Sequence, residues 1–193
     1  EGFGLMDTTI YKGKRQSTSV TYLHPIIHRN NLKVLTKVTV NKIIFENKKA
    51  TGVECKINGK TKKFYSSQEI LLSAGAINSP HLLMLSGIGP EKELKKHNIK
   101  PIECLNGVGE NLQDHLETYV QYECKKPVTL YSAQNPIKMA LIGIEWFLFK
   151  TGVASNSNLE TGGFIRSNEI VDYPNVQYHF FPSLVLDHGR KNS

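Results

Sequence analysis

Two pairs of side chains in this sequence have types and spacings that proteins use for chemistry. Asp114 and His115 are adjacent, and an aspartate beside a histidine can orient an imidazole that moves protons. A lone pair of this kind is more often structural than catalytic, so the residues alone leave both interpretations open. His24 and His28 have the spacing of metal ligands on a helix, but Pro25 interrupts that register. No metal site is therefore predicted.

A third feature is a run of small residues, Ser-Ala-Gly-Ala, at residues 73–76. It follows the apolar residues 70–72, which predict a buried strand, and it places nothing bulky between a ligand and the main chain. Ser79 and Pro80 then predict the N-cap and first residue of a helix of about two turns. The helix start could favour a phosphate through its dipole. The same pattern also suits a packing corner without a ligand.

The composition limits what these features can serve. With 193 residues, 39% of them hydrophobic, the chain can bury one sizeable core or two small ones. The net charge is +7, but the lysines are scattered in pairs, which argues against a nucleic-acid partner. Three cysteines without a Cys-x-x-Cys spacing argue against a disulfide framework or a zinc site, and they suit a reducing compartment.

Periodic patterns predict the elements that would position these groups. Asn58-Gly59 joins two alternating runs, which is the strongest short signal for a β-hairpin. Pro90 opens a second helix with glutamates in its first turn and lysines in its last, as the helix dipole favours. Asn135 and Pro136 predict the cap of a third helix that ends near Thr151 and Gly152. Its apolar residues 137–149 predict a core helix, because they are too few and too charged to span a bilayer. Further strands are predicted at residues 32–45, 117–124, 160–166 and 175–182.

Three stretches resemble signatures of one enzyme family. They read Gly-Ala-Ile-Asn-Ser-Pro-His-Leu-Leu-Met-Leu-Ser-Gly-Ile-Gly at 75–89, Gly-Val-Gly-Glu-Asn-Leu-Gln-Asp-His at 107–115 and Gly-Lys-Arg-Gln-Ser-Thr at 13–18. They are similar to the glucose-methanol-choline (GMC) family of FAD-dependent alcohol oxidoreductases. The resemblance implies an α/β fold (α+β overall). It comprises a partial Rossmann-like FAD-binding domain over residues 1–115 and part of an antiparallel-sheet substrate-binding domain over residues 116–193.

The resemblance further implies that FAD is the cofactor and that seven residues lie beside it. They are Val40 at the adenine ring, Ser73, Ala74 and Gly75 near the adenosine part, and Asn111, Asp114 and His115 along the flavin. The contact at Val40 would use the main chain, so an ordinary core valine would also fit that position.

Beyond residue 114 the sequence resembles the members of the family that oxidise choline. The matching strings lie at residues 114–119, 127–134, 159–166, 177–182 and 187–190. A quaternary ammonium ion has no N–H to donate, so ring faces and a carboxylate must hold it. The resemblance implies that Glu117 is that carboxylate and that His179 lines the alcohol pocket, with Tyr119, Tyr122 and Tyr131 as available rings. Without the resemblance, Glu117 would be a surface residue of an edge strand and His179 a core histidine.

The implied reaction oxidises choline to betaine aldehyde: a base takes the hydroxyl proton and the carbon passes a hydride to flavin N5. The sequence has no Gly-x-Gly-x-x-Gly turn and begins without Met. We therefore expect an internal fragment, inactive alone, with the catalytic histidine downstream of Ser193 and no catalytic residue within the chain. The resemblance also implies a membrane quinone of the respiratory chain as electron acceptor. It implies a location at the mitochondrial inner membrane, although the chain carries no targeting segment.

Two other interpretations stay open. One is another GMC dehydrogenase or oxidase that acts on a sugar or aryl alcohol, against which stand the strings at residues 114–117 and 159–166. The other is a truncated, non-catalytic binding or scaffold protein. Whether the transcript continues at both ends would distinguish that protein from an enzyme fragment.

Overall fold

The structure, a computed structural model, describes residues 1–184 as a mixture of short strands and helices. The strands are β1 (Gly2–Leu5), β2 (Ile10–Tyr11), β3 (Lys14–Arg15), β4 (Val38–Glu46), β5 (Lys49–Ile57), β6 (Lys60–Tyr65), β7 (Ile88–Gly89), β8 (Glu103–Cys104), β9 (Thr161–Ile165) and β10 (Val176–Phe180). The α-helices are α1 (Gly75–Leu85), α2 (Glu91–Lys96) and α3 (Pro136–Phe149). Shorter helical turns cover Ser19–Leu23, His24–Ile26, Leu130–Gln134 and Val153–Ser155.

These elements form two compact units, each described here by itself. One unit is Lys33–Leu116, and the other combines Glu1–Leu32 with the described residues from Glu117 onward. The predicted division into an FAD-binding domain over residues 1–115 and a substrate-binding domain over residues 116–193 stays a prediction.

The sheet of the unit Lys33–Leu116 is an antiparallel meander in the order β4-β5-β6. Both of its connections are two-residue turns. Asn47 and Lys48 have φ values of 50° and 65°, and Asn58 and Gly59 have φ values of 48° and 78°. Two consecutive positive φ angles give the turn whose twist matches that of the strands it joins. The hairpin predicted from Asn58-Gly59 is confirmed.

Helix α1 is joined to this sheet by a buried hydroxyl. Ser86, the first residue after α1, accepts a hydrogen bond from the backbone N–H of Ile43 in β4 at 2.8 Å. The same hydroxyl donates to the carbonyl oxygen of Leu82 at 2.6 Å. Ile43 is buried, as are Cys55 in β5 and Leu94 in α2. The fully buried apolar side chains of this unit therefore come from the sheet and α2, and Ser86 adds a buried hydroxyl at the end of α1.

The second helix has the charge arrangement that its sequence predicts. Pro90 precedes α2 in an extended conformation, and Glu91 lies in the first turn, where the positive end of the dipole favours an anion. Lys95 lies in the last turn, and its Nζ is 2.6 Å from Glu91 Oε1. Asn98 has a φ of 55°, which ends the helical path. After the helix, β8 pairs in parallel with β7.

The sheet of the other unit is antiparallel, with β9 between β1 and β10. Phe3, Gly163 and Tyr178 lie in one row across these three strands. Because Gly163 has no side chain, the rings of Phe3 and Tyr178 approach each other over it, with centroids 5.6 Å apart. A Cβ at Gly163 would lie within 2.5 Å of the Phe3 ring, so this packing requires glycine.

Helix α3 begins and ends as its sequence predicts. The side chain of Asn135 accepts hydrogen bonds from the N–H groups of Ile137 and Lys138, so the predicted cap is confirmed. Lys150 closes the helix with a φ of 59°. The indole N–H of Trp146 donates to the carbonyl oxygen of Gly13 at 2.7 Å. This bond ties the β2–β3 hairpin to the helix.

The predicted buried strand at residues 70–72 is wrong. These residues pair with no described strand, and the Leu71 side chain is 81% exposed. An apolar run forms a strand only when a neighbour completes its hydrogen bonds, and the sequence pattern cannot supply that neighbour. The predicted helix start is also wrong, because α1 begins at Gly75 and contains Pro80 within it.

Two further predictions in the second unit differ from the structure. Residues 117–124 alternate in polarity but form no strand, since no described strand pairs with them. Helix α3 buries none of its residues, and Phe147 is 72% exposed, so it is not a core helix among the described elements. The predicted strands at 160–166 and 175–182 are present as β9 and β10. The string at residues 187–190 lies outside the described residues.

Within residues 1–184, none of the helices combines the length and apolar character that crossing a bilayer requires.

Candidate functional site

The small residues before α1 leave the main chain accessible. Ser73, Ala74 and Gly75 are all exposed, and Gly75 has a φ of 87°. A Cβ built on Gly75 would meet nothing within 4 Å, so the space beside the helix start is open. The Ser79 hydroxyl accepts a hydrogen bond from Ala74 N–H at 3.0 Å, although it does so from inside the helix rather than as its N-cap. The corner can therefore admit a ligand close to its backbone.

The revised start of α1 changes the chemistry available at its first turn. Pro80 is the sixth residue of the helix, so the first-turn N–H groups of Gly75, Ala76 and Ile77 are all present. First-turn N–H groups lack partners within a helix, and the helix dipole adds positive charge there. The structure thus gives this terminus more hydrogen-bond donors than a helix beginning at Pro80 would have.

A groove of about 480 Å³ runs beside this helix. One wall is a single face of α1, and the other is the segment that follows the Gly-Val-Gly corner. The lining residues are Ala76, Ile77, Pro80, His81 and Met84 on the helix, and Gly109, Glu110, Asn111, Leu112 and Gln113 on the segment. The structure therefore brings the residues next to Gly75 and the predicted cofactor residue Asn111 to one groove.

Met84 holds the two walls of the groove together. A Cβ on Gly109 would lie 3.4 Å from Met84 Cε, and a Cβ on Gly89 would lie 2.8 Å from Met84 Cγ. Gly109 also has a φ of 85°, which favours glycine at this corner. A second hollow, of about 380 Å³, also borders Met84 and is lined partly by Pro90 and Glu110.

Sequence reasoning missed the helix side of the groove. It assigned no site role to Ile77, His81 or Met84, and it treated Pro80 only as the first residue of the helix. The signal was present in the spacing, because residues three and four apart on a helix share one face. What hid the signal was the helix start, since Ile77 was placed outside the helix altogether.

Val40 lies at an irregularity in β4. It pairs with Cys55, whereas the next paired residue, Lys42, is opposite Glu54, so Asn41 has no partner residue in β5. An extra residue without a partner forms a β-bulge, which interrupts the ladder of hydrogen bonds locally. In the described sheet β4 is an edge strand. Val40 is 38% exposed, and the contact of its main chain with an adenine ring stays a prediction.

The Asp114–His115 pair has a local backbone contact. The N–H of His115 donates to Asp114 Oδ1 at 2.8 Å, and both residues are exposed. The contact fixes the carboxylate against its own backbone rather than against the imidazole. The aspartate therefore does not orient the histidine in the way that an acid-base pair would require. A contact of either residue with a flavin stays a prediction.

The two predicted substrate residues lie in the other unit. Glu117 is exposed, and side-chain hydrogen bonding with its carboxylate raises the pKa of Tyr119. His179 is in β10, in a row with Gly162 of β9 and Gly4 of β1, so no neighbouring side chain stands beside it in that row. Among residues 1–184 no hydrogen bond or ion pair joins Glu117 to His179, and their convergence on one substrate stays a prediction.

Neither the groove nor the two predicted substrate residues form a metal centre. Within the part of the chain that the structure describes, no three histidine, cysteine, aspartate or glutamate residues are grouped so that they could hold a metal ion. The three cysteines are free: Cys55 is buried, and Cys104 and Cys124 are exposed.

Comparison with known sequences points to one enzyme family. The sequence model of the GMC oxidoreductase family matches residues 1–117. The chain is 53% identical over 191 residues to a protein named choline dehydrogenase, mitochondrial, from Homo sapiens, covering 98% of this chain and 32% of that protein. It is 49% identical over 191 residues to an oxygen-dependent choline dehydrogenase from Staphylococcus xylosus, covering 99% of this chain and 34% of that protein. The chain thus spans about a third of the length of these curated relatives.

Solved structures show the same fold. An FAD-dependent oxidoreductase from Chaetomium thermophilum superposes with a TM-score of 0.72 at 29% identity, covering 84% of this chain and 30% of that chain. A formate oxidase from Aspergillus oryzae superposes with a TM-score of 0.78 at 23% identity, covering 91% of this chain and 34% of that one. At the lower identity the likeness concerns the fold alone. The predicted class, mixed α/β with antiparallel sheets, is confirmed.

Proposed function

Because the chain belongs to the GMC oxidoreductase family, we propose that it is part of an FAD-dependent alcohol oxidoreductase that acts on choline. The observation that carries the proposal is the 47–53% identity to choline dehydrogenases along nearly the whole chain. Identity to the solved oxidoreductases and oxidases compared above is only 23–29%. This difference favours choline as the substrate.

The corner of small residues before α1 and the first turn of that helix fit part of a dinucleotide cofactor. The exposed corner at residues 73–75, the open space beside Gly75 and the intact first turn of α1 suit a ligand that carries phosphates. We assign seven residues to FAD, one of which, Asn111, lines the same groove as Ala76 and Ile77 of the first turn of α1. The seven are Val40, Ser73, Ala74, Gly75, Asn111, Asp114 and His115.

To bind choline, the substrate residues must supply a negative charge for its ammonium group and a polar group near its hydroxyl. Glu117 supplies a carboxylate that no lysine or arginine of the described chain pairs with. His179 supplies an imidazole on an open row of β10. We assign Glu117 to the trimethylammonium end and His179 to the alcohol end.

The reaction removes two electrons and two protons from the alcohol carbon and its hydroxyl. The chemistry that FAD supplies when bound is acceptance of a hydride at flavin N5. A base must take the hydroxyl proton, and we place that base in the part of the enzyme that the matched third does not cover. The role of this chain is then to bind choline, with Glu117 fixing the cation so that the hydroxyl carbon is correctly presented.

The electron acceptor and the location belong to the same proposal. We propose that electrons pass to a membrane quinone of the respiratory chain, at the mitochondrial inner membrane. The names of the Homo sapiens and Mus musculus relatives, which describe both proteins as mitochondrial, support the location. The Staphylococcus relatives are named oxygen-dependent, so oxygen is the competing acceptor.

The test uses the protein purified from its source with an antibody against this segment. We expect visible flavin absorbance that choline bleaches in the absence of oxygen. Bleached enzyme should then be reoxidised faster by a soluble quinone analogue than by dissolved oxygen. A colourless protein, or a flavin that choline does not reduce, would contradict the proposed activity. Faster reoxidation by oxygen would contradict only the proposed acceptor.

A further inference from the structure

A methionine from the start of the chain lies next to the strand position of His179. His179 in β10 pairs with Gly162 in β9. A Cβ built on Gly162 would lie 2.7 Å from Met6 Sδ and 3.1 Å from Met6 Cγ. The Met6 side chain therefore occupies the place that a side chain opposite His179 would take.

The sheet holds Met6 in this place. Met6 directly follows β1, and its N–H donates to the carbonyl oxygen of Glu160 at 2.8 Å, which continues the pairing of β1 with β9 by one residue. Side chains alternate between the two faces of a strand, so Met6 is on the same face as Gly4, whose partner is Gly162. Met6 is half-buried. Its position thus depends on backbone hydrogen bonds of the sheet.

Met6 bounds the space beside His179 on one side. The Cβ atoms of directly opposed residues in antiparallel strands are about 5 Å apart, so the His179 Cβ is that far from the place where the thioether of Met6 lies. Gly162 itself contributes no side chain between them. The row is open only farther along, at Gly4, where a Cβ would meet nothing within 4 Å.

A thioether suits the carbon part of an alcohol substrate. Its sulfur is only a weak hydrogen-bond acceptor, so it does not compete with an imidazole for the hydroxyl group. Its flexible, polarizable chain packs closely against carbon–hydrogen groups. A wall of this kind limits how many substituents fit on the carbon beside the hydroxyl.

We propose that Met6 is a specificity-determining residue, whose side chain forms the wall beside the alcohol carbon and excludes alcohols that are branched at that carbon. The inference rests on the proposed function, because it needs His179 at the alcohol end of a choline site. It predicts an effect on substrates enlarged at the alcohol end that is absent for substrates enlarged at the ammonium end.

The experiment measures kcat/KM of the wild-type and Met6→Ala full-length enzymes for choline and two larger analogues. One analogue has an extra methyl group on the carbon that bears the hydroxyl, and the other has an ethyl group in place of one N-methyl group. One extra methylene in an apolar pocket is worth about 10–200-fold in kcat/KM. In Met6→Ala the kcat/KM for the branched alcohol, relative to choline, should rise at least about tenfold. The ratio for the N-ethyl analogue should change little, because that group is at the Glu117 end.

Two controls and one measurement without substrate accompany this comparison. Met6→Leu nearly conserves the side-chain volume and should keep the wild-type ratios. Met139→Ala shortens a methionine of α3 that is 60% exposed, and it should keep them as well. In wild-type enzyme with carbon-13 methionine methyl groups, NMR should show a nuclear Overhauser effect between the Met6 methyl group and the His179 ring. The Met6 signal is the one that Met6→Leu lacks.

The outcomes separate the two proposals. Wild-type enzyme that does not oxidise choline would overturn both. If choline is oxidised, an unchanged ratio for the branched alcohol in Met6→Ala would overturn the role of Met6 alone. An equal gain for both analogues would also overturn it, since a general loosening of the site admits both alike. A missing Overhauser effect would overturn it even if Met6→Ala did not fold.

Discussion

The hydroxyl of Ser86 is 2.8 Å from the backbone nitrogen of Ile43, in a contact that both residues bury. Through it, the end of helix α1 is attached to the middle of strand β4. The strand carries Val40 and the helix begins beside the corner at residues 73–75, so this one bond helps to fix the relative position of two predicted parts of the FAD site.

Replacing Ser86 with alanine should lower stability measurably. The Ile43 N–H would then be buried without an acceptor, which costs about 1–3 kcal/mol. Chemical denaturation of the purified protein measures this as a shift of the midpoint at constant slope. Ser66→Ala is a matched control, because Ser66 also makes two hydrogen bonds, but at positions where water can replace them. Equal destabilisation by the two substitutions would contradict a special role for the buried bond.

Gly13→Ala should be more destabilising than an ordinary glycine substitution in a turn. A Cβ at Gly13 would lie 1.9 Å from the carbonyl oxygen of Lys150, at a φ of 66°. The left-handed conformation alone costs a residue with a Cβ about 1–2 kcal/mol. Gly59→Ala provides the comparison, since Gly59 has a φ of 78° and open space around it. The difference between the denaturation midpoints of the two variants measures the steric overlap with Lys150. Equal midpoints would show that the hairpin moves aside at no cost in stability.

The three thiols should differ in reactivity. Burial, with a smaller contribution from the charge of Glu54, raises the pKa of Cys55, so less of it is thiolate at mildly alkaline pH. Cys104 and Cys124 are exposed. Labelling with a thiol reagent should give two fast reactions and one at least about tenfold slower. Mass spectrometry identifies the slow site, and rapid modification of Cys55 in the native protein would contradict the described core.

Glu117→Gln should weaken choline binding while leaving the flavin in place. The substitution keeps the size of the side chain but removes the charge that attracts the ammonium group, and the choline KM should rise by more than about tenfold. Flavin absorbance checks that the cofactor is retained. Glu123→Gln is the control, because Glu123 is an exposed carboxylate of the same segment. A choline KM that both substitutions leave unchanged would remove Glu117 from the substrate site.

Local sequence signals were sufficient where the structure depends on neighbouring residues. The turn at Asn58-Gly59, the cap at Asn135 and the charge order of α2 follow from interactions within a few residues, and all three are present. The sequence also determined the family, because the signature at residues 75–89 preserves a particular series of side chains.

Tertiary structure decided what depends on distant partners. Residues 70–72 and 117–124 have strand-like patterns but form no strand among the described residues, because a strand exists only through hydrogen bonds to a neighbour that the local pattern does not contain. The groove also depends on contacts between residues that are distant in the sequence. Its helix wall became visible only when α1 was found to begin at Gly75, and its other wall lies there because Gly109 can approach Met84. Periodicity specifies which side chains share a face, whereas the contacts between segments far apart in the chain decide what that face meets.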